Sequence, residues 1–328
     1  SIFSSENFRA YAALPRTTRA LHAAILLVAG LVLVASSEVL TARATARYLG
    51  SPGTQVLAIG TSHLTRALDP QAFPQEVVKI DRAALDLAVA EAVVREHQAR
   101  WPSLEAVVIE VDEFSLFSDT VQAYSGDLSE LCGRFGVNAI QLPARDLTSL
   151  RDYRRLSSLW RGEGFASLWE RNRLTIRNVV DLPDVAPSHT NSPSSGSLDA
   201  ARRRVAYAQH VLFRGGAEKR FREANLPALL ALVRHFEERG AAVHLVRFPL
   251  SSAYREVRPA EWDPWIEEAI RTVRAAHPEV QLWDDREGNA IAPNRTELFT
   301  DEDFEDVDHL TREAARRWTQ LLAHRLAL

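Results

Sequence analysis

The stretch VLAIGTSHLTRALDP, residues 56–70, runs from a continuous apolar segment through Gly60, Thr61, Ser62 and His63 into a short piece with helical spacing. An apolar run of this length bounded by a turn reads as a strand buried on both faces, as in a mainly parallel sheet. Reactive groups of open α/β sheets gather at the carboxyl ends of the strands, where loops meet helix N-termini. Ser62 stands at such a place. Its hydroxyl is a weak nucleophile by itself and needs a base, while nearby backbone N–H groups can stabilise an oxyanion.

From residue 54 onward, strand-like and helix-like pieces alternate. LDLAVAEAVVREHQARW (85–101) has helical periodicity, and EAVVIEVDEF (105–114) reads as the second buried strand. NLPALLALVRHFEERG (225–240) is expected to be a helix with Asn225 near its cap and Gly240 at its end, followed by the strand AAVHLVRFPL (241–250). The helix-strand pair repeats over 263–277 and 280–285, and an amphipathic helix at 311–328 closes the chain. The alternation predicts one α/β domain over 54–328, interrupted by an insertion at about 115–220 that contains the Pro-, Ser- and Gly-rich segment 182–199.

Ahead of the domain, residues 20–40 read ALHAAILLVAGLVLVASSEVL, close to the roughly 20 apolar residues needed to cross a bilayer. The expectation is one N-terminal transmembrane helix, with 1–19 cytoplasmic and 41–53 a linker. A cleaved signal peptide ending in TARATA (41–46) and a buried soluble helix are the alternatives. Arg9, Arg16 and Arg19 precede the run and Arg43 and Arg47 follow it, a slight bias toward a cytoplasmic N-terminus and an extracytoplasmic, periplasmic domain.

With 39 Lys+Arg against 43 Asp+Glu, the charge balance supplies no general reason to expect nucleic acid. The single cysteine, Cys132, excludes an internal disulfide framework and any multi-cysteine metal site. Apart from His63 and His309, the other eight histidines show no paired metal-ligand spacing with acids, and no phosphate-cradling glycine loop is present, so neither a metal nor a cofactor is expected.

The candidate base is His309, in LFTDEDFEDVDHLTREAA (298–315), where Asp306 precedes it with D-x-x-H spacing just ahead of the last helix. A carboxylate at that spacing can reach the imidazole of its own loop, fix its tautomer and stabilise the imidazolium. His63 is expected to line the crevice mouth. Arg66 is a candidate for binding an anionic substrate, against a plain surface charge. Arg247, Tyr254 and Asp112 end or follow strand candidates and are candidate cleft residues. Trp262 and Trp265 offer either sugar stacking or core packing.

The strand-G-x-S-helix element, the final D-x-x-H turn and the closing helix on alternating α/β units together resemble the SGNH (GDSL-type) hydrolase superfamily. With the anchor, IGTSHLTRALDP (59–70) and EVDEFSLF (110–117), the chain is similar to the membrane-anchored bacterial branch that handles acyl groups on cell-surface polymers. That branch includes the D-alanyl transfer protein of teichoic acid synthesis and the alginate acetylation proteins. The resemblance implies a three-layer fold, Ser62 as nucleophile, and Asp306 and His309 completing a triad. It also implies an acyl donor, acetyl first among them, a glycan acceptor in the cell envelope, and a polytopic membrane acyltransferase as partner. O-acyl transfer and simple esterase action both fit.

Three departures stand out. Thr61 occupies the middle of Gly-Asp-Ser, and KIDRAALDLAV (79–89) lacks the second-block glycine, leaving Ala83 or Ala84 to present an oxyanion N–H. EVDE (110–113) stands where Gly-x-Asn-Asp is expected. These leave open a catalytically silent scaffold subunit of a membrane complex.

Overall fold

The computed structural model describes residues 48–82, 85–120, 197–213, 216–285 and 299–326, with isolated helical positions between 17 and 32. Among these residues the chain is an α/β domain built on a five-stranded parallel sheet. Its strands are β1 (Val56–Gly60), β2 (Val77–Asp81), β3 (Ala106–Glu110), β4 (Ala242–Arg247) and β5 (Gln281–Asp284), in the spatial order β2-β1-β3-β4-β5.

Alternate side chains of each central strand go to opposite faces, and both faces are covered by helices. Leu57, Ile59, Val107, Ile109, Val243 and Leu245 join one core with α2 (Leu87–His97), α5 (Leu226–Glu238) and α7 (Asp263–Ala276). Val56, Ala58, Val108 and Val246 join the other with α1 (Ser62–Ala67) and α8 (Arg312–Arg325). Burial on both faces explains why β1 and β3 read as unbroken apolar runs. It also makes three layers.

After β1 the chain turns to β2 on one side, then crosses to β3 on the other. The carboxyl ends of β1 and β3 are therefore a switch point, where the loops diverge and leave a crevice. Three further helices border it: α3 (Glu113–Phe117), α4 (Leu198–Tyr207) and α6 (Ser252–Val257).

Several expectations need correction. β2 was not anticipated: it is an edge strand with only part of its surface buried, and VVKID is too short to show a period. The apolar run at 105–114 is strand only to Glu110, because Asp112 caps α3 through a capping box with Ser115. Asn225 does stand at the N-cap position of α5, but it continues a helical run and makes no side-chain cap bond there; its amide instead bonds the carbonyls of Leu116 and Ser118 and accepts from the N–H of Ala88. Gly240 does end its helix, with a positive φ of 78°. Leu49, assigned to the linker, is buried and accepts a 2.7 Å bond from the Trp101 indole, so the packed domain begins ahead of residue 54.

Most of the expected span at 20–40, and residues 121–196 of the expected insertion, lie outside the described residues. No helix among the described residues is long and apolar enough to cross a membrane. Leu21, Ile25, Val28 and Val32 are helical and exposed.

Gly60 has a packing reason. A Cβ there would meet Glu110 Oε2 at 2.3 Å and the Cβ atoms of Glu110 and Leu64 at 2.9 Å. Gly60→Ala is expected to destabilise the fold by about 1–3 kcal/mol, the usual cost of overpacking. Denaturant unfolding should show the loss, and a smaller one when Glu110→Ala removes the clashing carboxylate.

Candidate active site

Ser62 opens α1 directly after β1. Thr61 is the N-cap: its hydroxyl accepts from the His63 N–H at 3.4 Å and donates to Glu110 at 2.8 Å. The Thr61 N–H also donates to Glu110, at 2.5 Å. Thr61 and Glu110, which stand at two of the departures from the Gly-Asp-Ser and Gly-x-Asn-Asp patterns, are thus partners of one another.

The loop ahead of α8 brings the distant half of the site. An isolated bridge between Phe304 and Leu310, with the Glu305 N–H donating to the His309 carbonyl at 2.8 Å, closes it into a tight turn. The Ser251 hydroxyl holds the Val307 carbonyl at 2.5 Å. Behind the turn, α8 is pinned to the sheet ends: Asp285 accepts from Trp318 at 3.0 Å and from Arg325 at 2.8 Å. Thr319 donates to the Ala67 carbonyl at the end of α1.

This framework brings Ser62, His309 and Asp306 together. Ser62 Oγ lies 2.9 Å from His309 Nε2, across 247 positions of sequence. His309 Nδ1 lies 2.9 Å from both oxygens of Asp306, whose Oδ1 also accepts the backbone N–H groups of Asp308 and His309. With Nδ1–H donating to Asp306, the serine O–H donates to Nε2, the arrangement a general base requires.

The other candidates are placed differently. His63 is buried below the triad instead of lining the mouth. Its Nδ1 faces Asp112 at 2.8 Å and Glu110 at 3.1 Å, its Nε2 faces Asp308 at 3.3 Å, and the Phe114 edge packs on the ring. Asp112 bonds His63 with one oxygen and caps α3 with the other. Tyr254 is buried, its hydroxyl donating to Glu113 at 3.1 Å, so it is a core residue. Arg247 is fully buried toward α7, paired with Glu267 at 2.8 Å and Asp284 at 3.2 Å, on the sheet face opposite α1 and α8. Arg66 pairs with Glu305 beside the Asp306 loop at 3.1 Å. Trp262 and Trp265 pack on Phe117, with Trp262 also on Phe213 and Trp265 on Phe221, the packing alternative. Ala83 and Ala84 lie outside the described residues.

Three residues were not picked out from sequence: Glu110, Asp308 and Arg204. The side chain of Asp308 is 1% exposed; its Oδ2 accepts from Arg204 Nε at 2.6 Å and its Oδ1 lies 3.2 Å from His309 Nδ1. DVDH at 306–309 shows two acids before the histidine, and EVD at 110–112 shows two more at a strand end. Arg204 had no signal, since it comes from the irregular region.

The electrostatics follow from burial and pairing. Burial opposes charging His63, but its bonds to Asp112, Asp308 and Glu110 outweigh this and hold its pKa well above the usual histidine value. Burial, together with the Asp112 charge, pushes Glu110 up to about 8. Asp112 overcomes its burial through His63 and falls to about 2. Asp308, also buried, is drawn well below the ordinary aspartate value by Arg204 and His309. At neutral pH a protonated Glu110 thus sits among His63 and Arg204 as cations and Asp112 and Asp308 as anions. The buried charges balance. His63 with Asp308 and His309, or with Glu110 and Asp112, has donor atoms close enough to surround a metal ion, but the same atoms are engaged in these hydrogen bonds.

This balance sets a pH dependence of stability. Glu110 and His63 have folded pKa values above their unfolded ones, so their contributions are full below the unfolded values and fade as pH rises. For Glu110 the window runs from about 4.3, the unperturbed value, to about 8. Denaturant midpoints should therefore fall between pH 6 and pH 9, and fall less in Glu110→Gln. An equal slope in both proteins would remove Glu110 as a cause.

No protein-family model matches the chain, and no curated protein matches it by sequence. Among solved structures, it is similar to a protein from Streptococcus pneumonia provisionally described as a platelet activating factor. The two share 9% identity with a TM-score of 0.41, over 93% of this chain and 99% of the other.

Proposed function

We propose that the chain is a serine-dependent acyl-transfer protein of the SGNH (GDSL-type) kind, working on acyl esters, acetyl first among them, of a cell-surface glycan. The observation that carries this is the 2.9 Å contact of Ser62 Oγ with His309 Nε2 while Nδ1 is held by Asp306. Nothing in the packing of an inert domain requires both contacts.

In this reading Nε2 takes the serine proton as Oγ bonds the acyl carbonyl carbon and the carbonyl electron pair moves onto oxygen. The N–H of Ser62, which opens the helix and has no carbonyl one turn back within it, is one donor for that oxyanion. Thr61 is excluded as a second donor because its N–H is spent on Glu110. Collapse breaks the bond to the departing alcohol, which leaves with the proton from Nε2. An acceptor hydroxyl then gives its proton to Nε2, attacks acyl-Ser62, and returns the serine with its proton. A sugar hydroxyl as acceptor makes the protein a transferase. Water makes it an esterase.

The apolar run at 20–40 supports a single-pass anchor, as does the exposure of Leu21, Ile25, Val28 and Val32 within it. The arginine bias supports a periplasmic domain. A polytopic membrane acyltransferase would then supply the activated acyl group.

Full-length protein treated with a fluorescent phosphonate is expected to label at Ser62. Ser62→Ala should abolish labelling while changing stability by no more than about 0.5 kcal/mol, since one half-buried hydroxyl is removed. Burial opposes protonation of His309, but the Asp308 charge and the Asp306 and Asp308 bonds outweigh it, leaving its pKa above the ordinary value. Labelling needs the neutral ring, so its rate should climb with pH through that raised value. A wild type that does not label favours the silent scaffold. For topology, protease added to intact spheroplasts should digest the domain; protection until lysis would overturn the periplasmic assignment.

A further inference from the structure

We propose that Asp308, held by Arg204 and His63, is a second positioning carboxylate for His309, and that it sets the charge of the imidazole while Asp306 sets its tautomer. The proposal rests on reading His309 as the base.

The two carboxylates meet the same nitrogen from different surroundings. Asp306 presents both oxygens to Nδ1 at 2.9 Å, but its side chain is 33% exposed and its Oδ1 is shared with two backbone N–H groups. It is well placed to fix the ring by hydrogen bonding, while water screens its charge. Asp308 lies slightly farther from Nδ1, at 3.2 Å, and is out of water. Charges interact more strongly in such a site than across solvent. Asp308 cannot turn away, because its other oxygen is held by Arg204 from α4 at 2.6 Å and by His63 from α1 at 3.3 Å.

The groups facing His309 define the balance. Its own loop supplies Asp306 and Asp308, and α1 supplies Ser62 and the His63 ring, 5.4 Å away between centroids. Glu110 and Asp112 stand behind His63. From α4, Arg204 acts through Asp308, and from α6 the neutral Tyr254 hydroxyl lies near the same pair. The Arg66–Glu305 pair flanks the loop. Asp308 is thus a carboxylate shared among three cations when His309 is protonated. Its charge is what His309 gains on accepting the serine proton, and Arg204 limits that gain.

The test is the titration of His309, read by NMR on full-length, histidine-labelled protein in detergent, with His309→Gln giving the assignment. Asp308→Asn should lower the midpoint, and by more than Asp306→Asn does. Asp306→Asn should instead redistribute the tautomers of the neutral ring. Arg204→Gln should raise the midpoint, because it removes a cation and leaves the Asp308 charge to His309. A general loosening of the site does not produce shifts of opposite sign. If Asp308→Asn fails to fold, Arg204→Gln alone decides: a raised midpoint supports the proposal, and an unchanged or lowered one overturns it. An Asp308→Asn midpoint that stays at the wild-type value, or falls less than that of Asp306→Asn, also overturns it. Phosphonate labelling separates the two readings, since a wild type that does not label refutes the serine mechanism and leaves the His309 midpoint measurable.

Discussion

The carboxylate of Glu110, packed against the Gly60 backbone and bonded to both the N–H and the hydroxyl of Thr61, decides how the chain leaves β1. With Thr61 fixed to the neighbouring strand, the next two side chains diverge. Ser62 turns to the His309 loop and His63 turns inward onto Glu110, Asp112 and Asp308. A glycine is needed because any Cβ would occupy the space of the carboxylate. Glu110 can serve there because burial keeps it largely protonated near neutrality, which spares the cluster around His63 a further anion beside Asp112 and Asp308.

Below the reactive surface the protein maintains an expensive arrangement. Each buried ion costs several kcal/mol of lost hydration, and attraction repays this only when the remaining hydrogen-bond positions are filled. His63 and Asp308 meet that condition through partners on α1, β3, α4 and the loop before α8. Such a cluster lends a site rigidity more than it lends the fold stability, because removing one member strands the charge of another. The half-exposed hydroxyl of Ser62, by contrast, is reachable, and the chemistry asked of it needs a fixed neighbour.

Placement at the switch point of the sheet explains how remote segments converge. β1 and β3 end side by side while their following loops part, and α8 returns from the far end of the chain to cover the face carrying α1. The Asp285 bonds to Trp318 and Arg325 and the Thr319 contacts with α1 fix the register of that helix. The turn at its start can therefore bring His309 within 2.9 Å of Ser62 across 247 positions.

The features legible in the residue pattern are local in origin. The unbroken apolar runs at 56–59 and 106–109 demand strands buried on both faces. The 3.6-residue periodicity of 226–238, 263–276 and 312–325 demands helices, and Gly60-Thr61-Ser62 and Asp306-Val307-Asp308-His309 mark a turn and a loop that can carry a hydroxyl, an imidazole and a carboxylate. Short edge strand β2 escaped because five residues, with Lys79 and Asp81 among them, show no clear period. It is the packing of distant segments that turns His63 into the core, pairs buried Arg247 with Glu267 and Asp284, seats Tyr254 among apolar side chains, and brings Glu110, Asp308 and Arg204 beside the site. A charged side chain on its own reads as solvated, and whether it is buried and paired depends on a partner supplied from another part of the chain. Arg204 reaches Asp308 from 104 positions away, and that distance is closed by packing α4 over the sheet, which no pattern within either segment encodes.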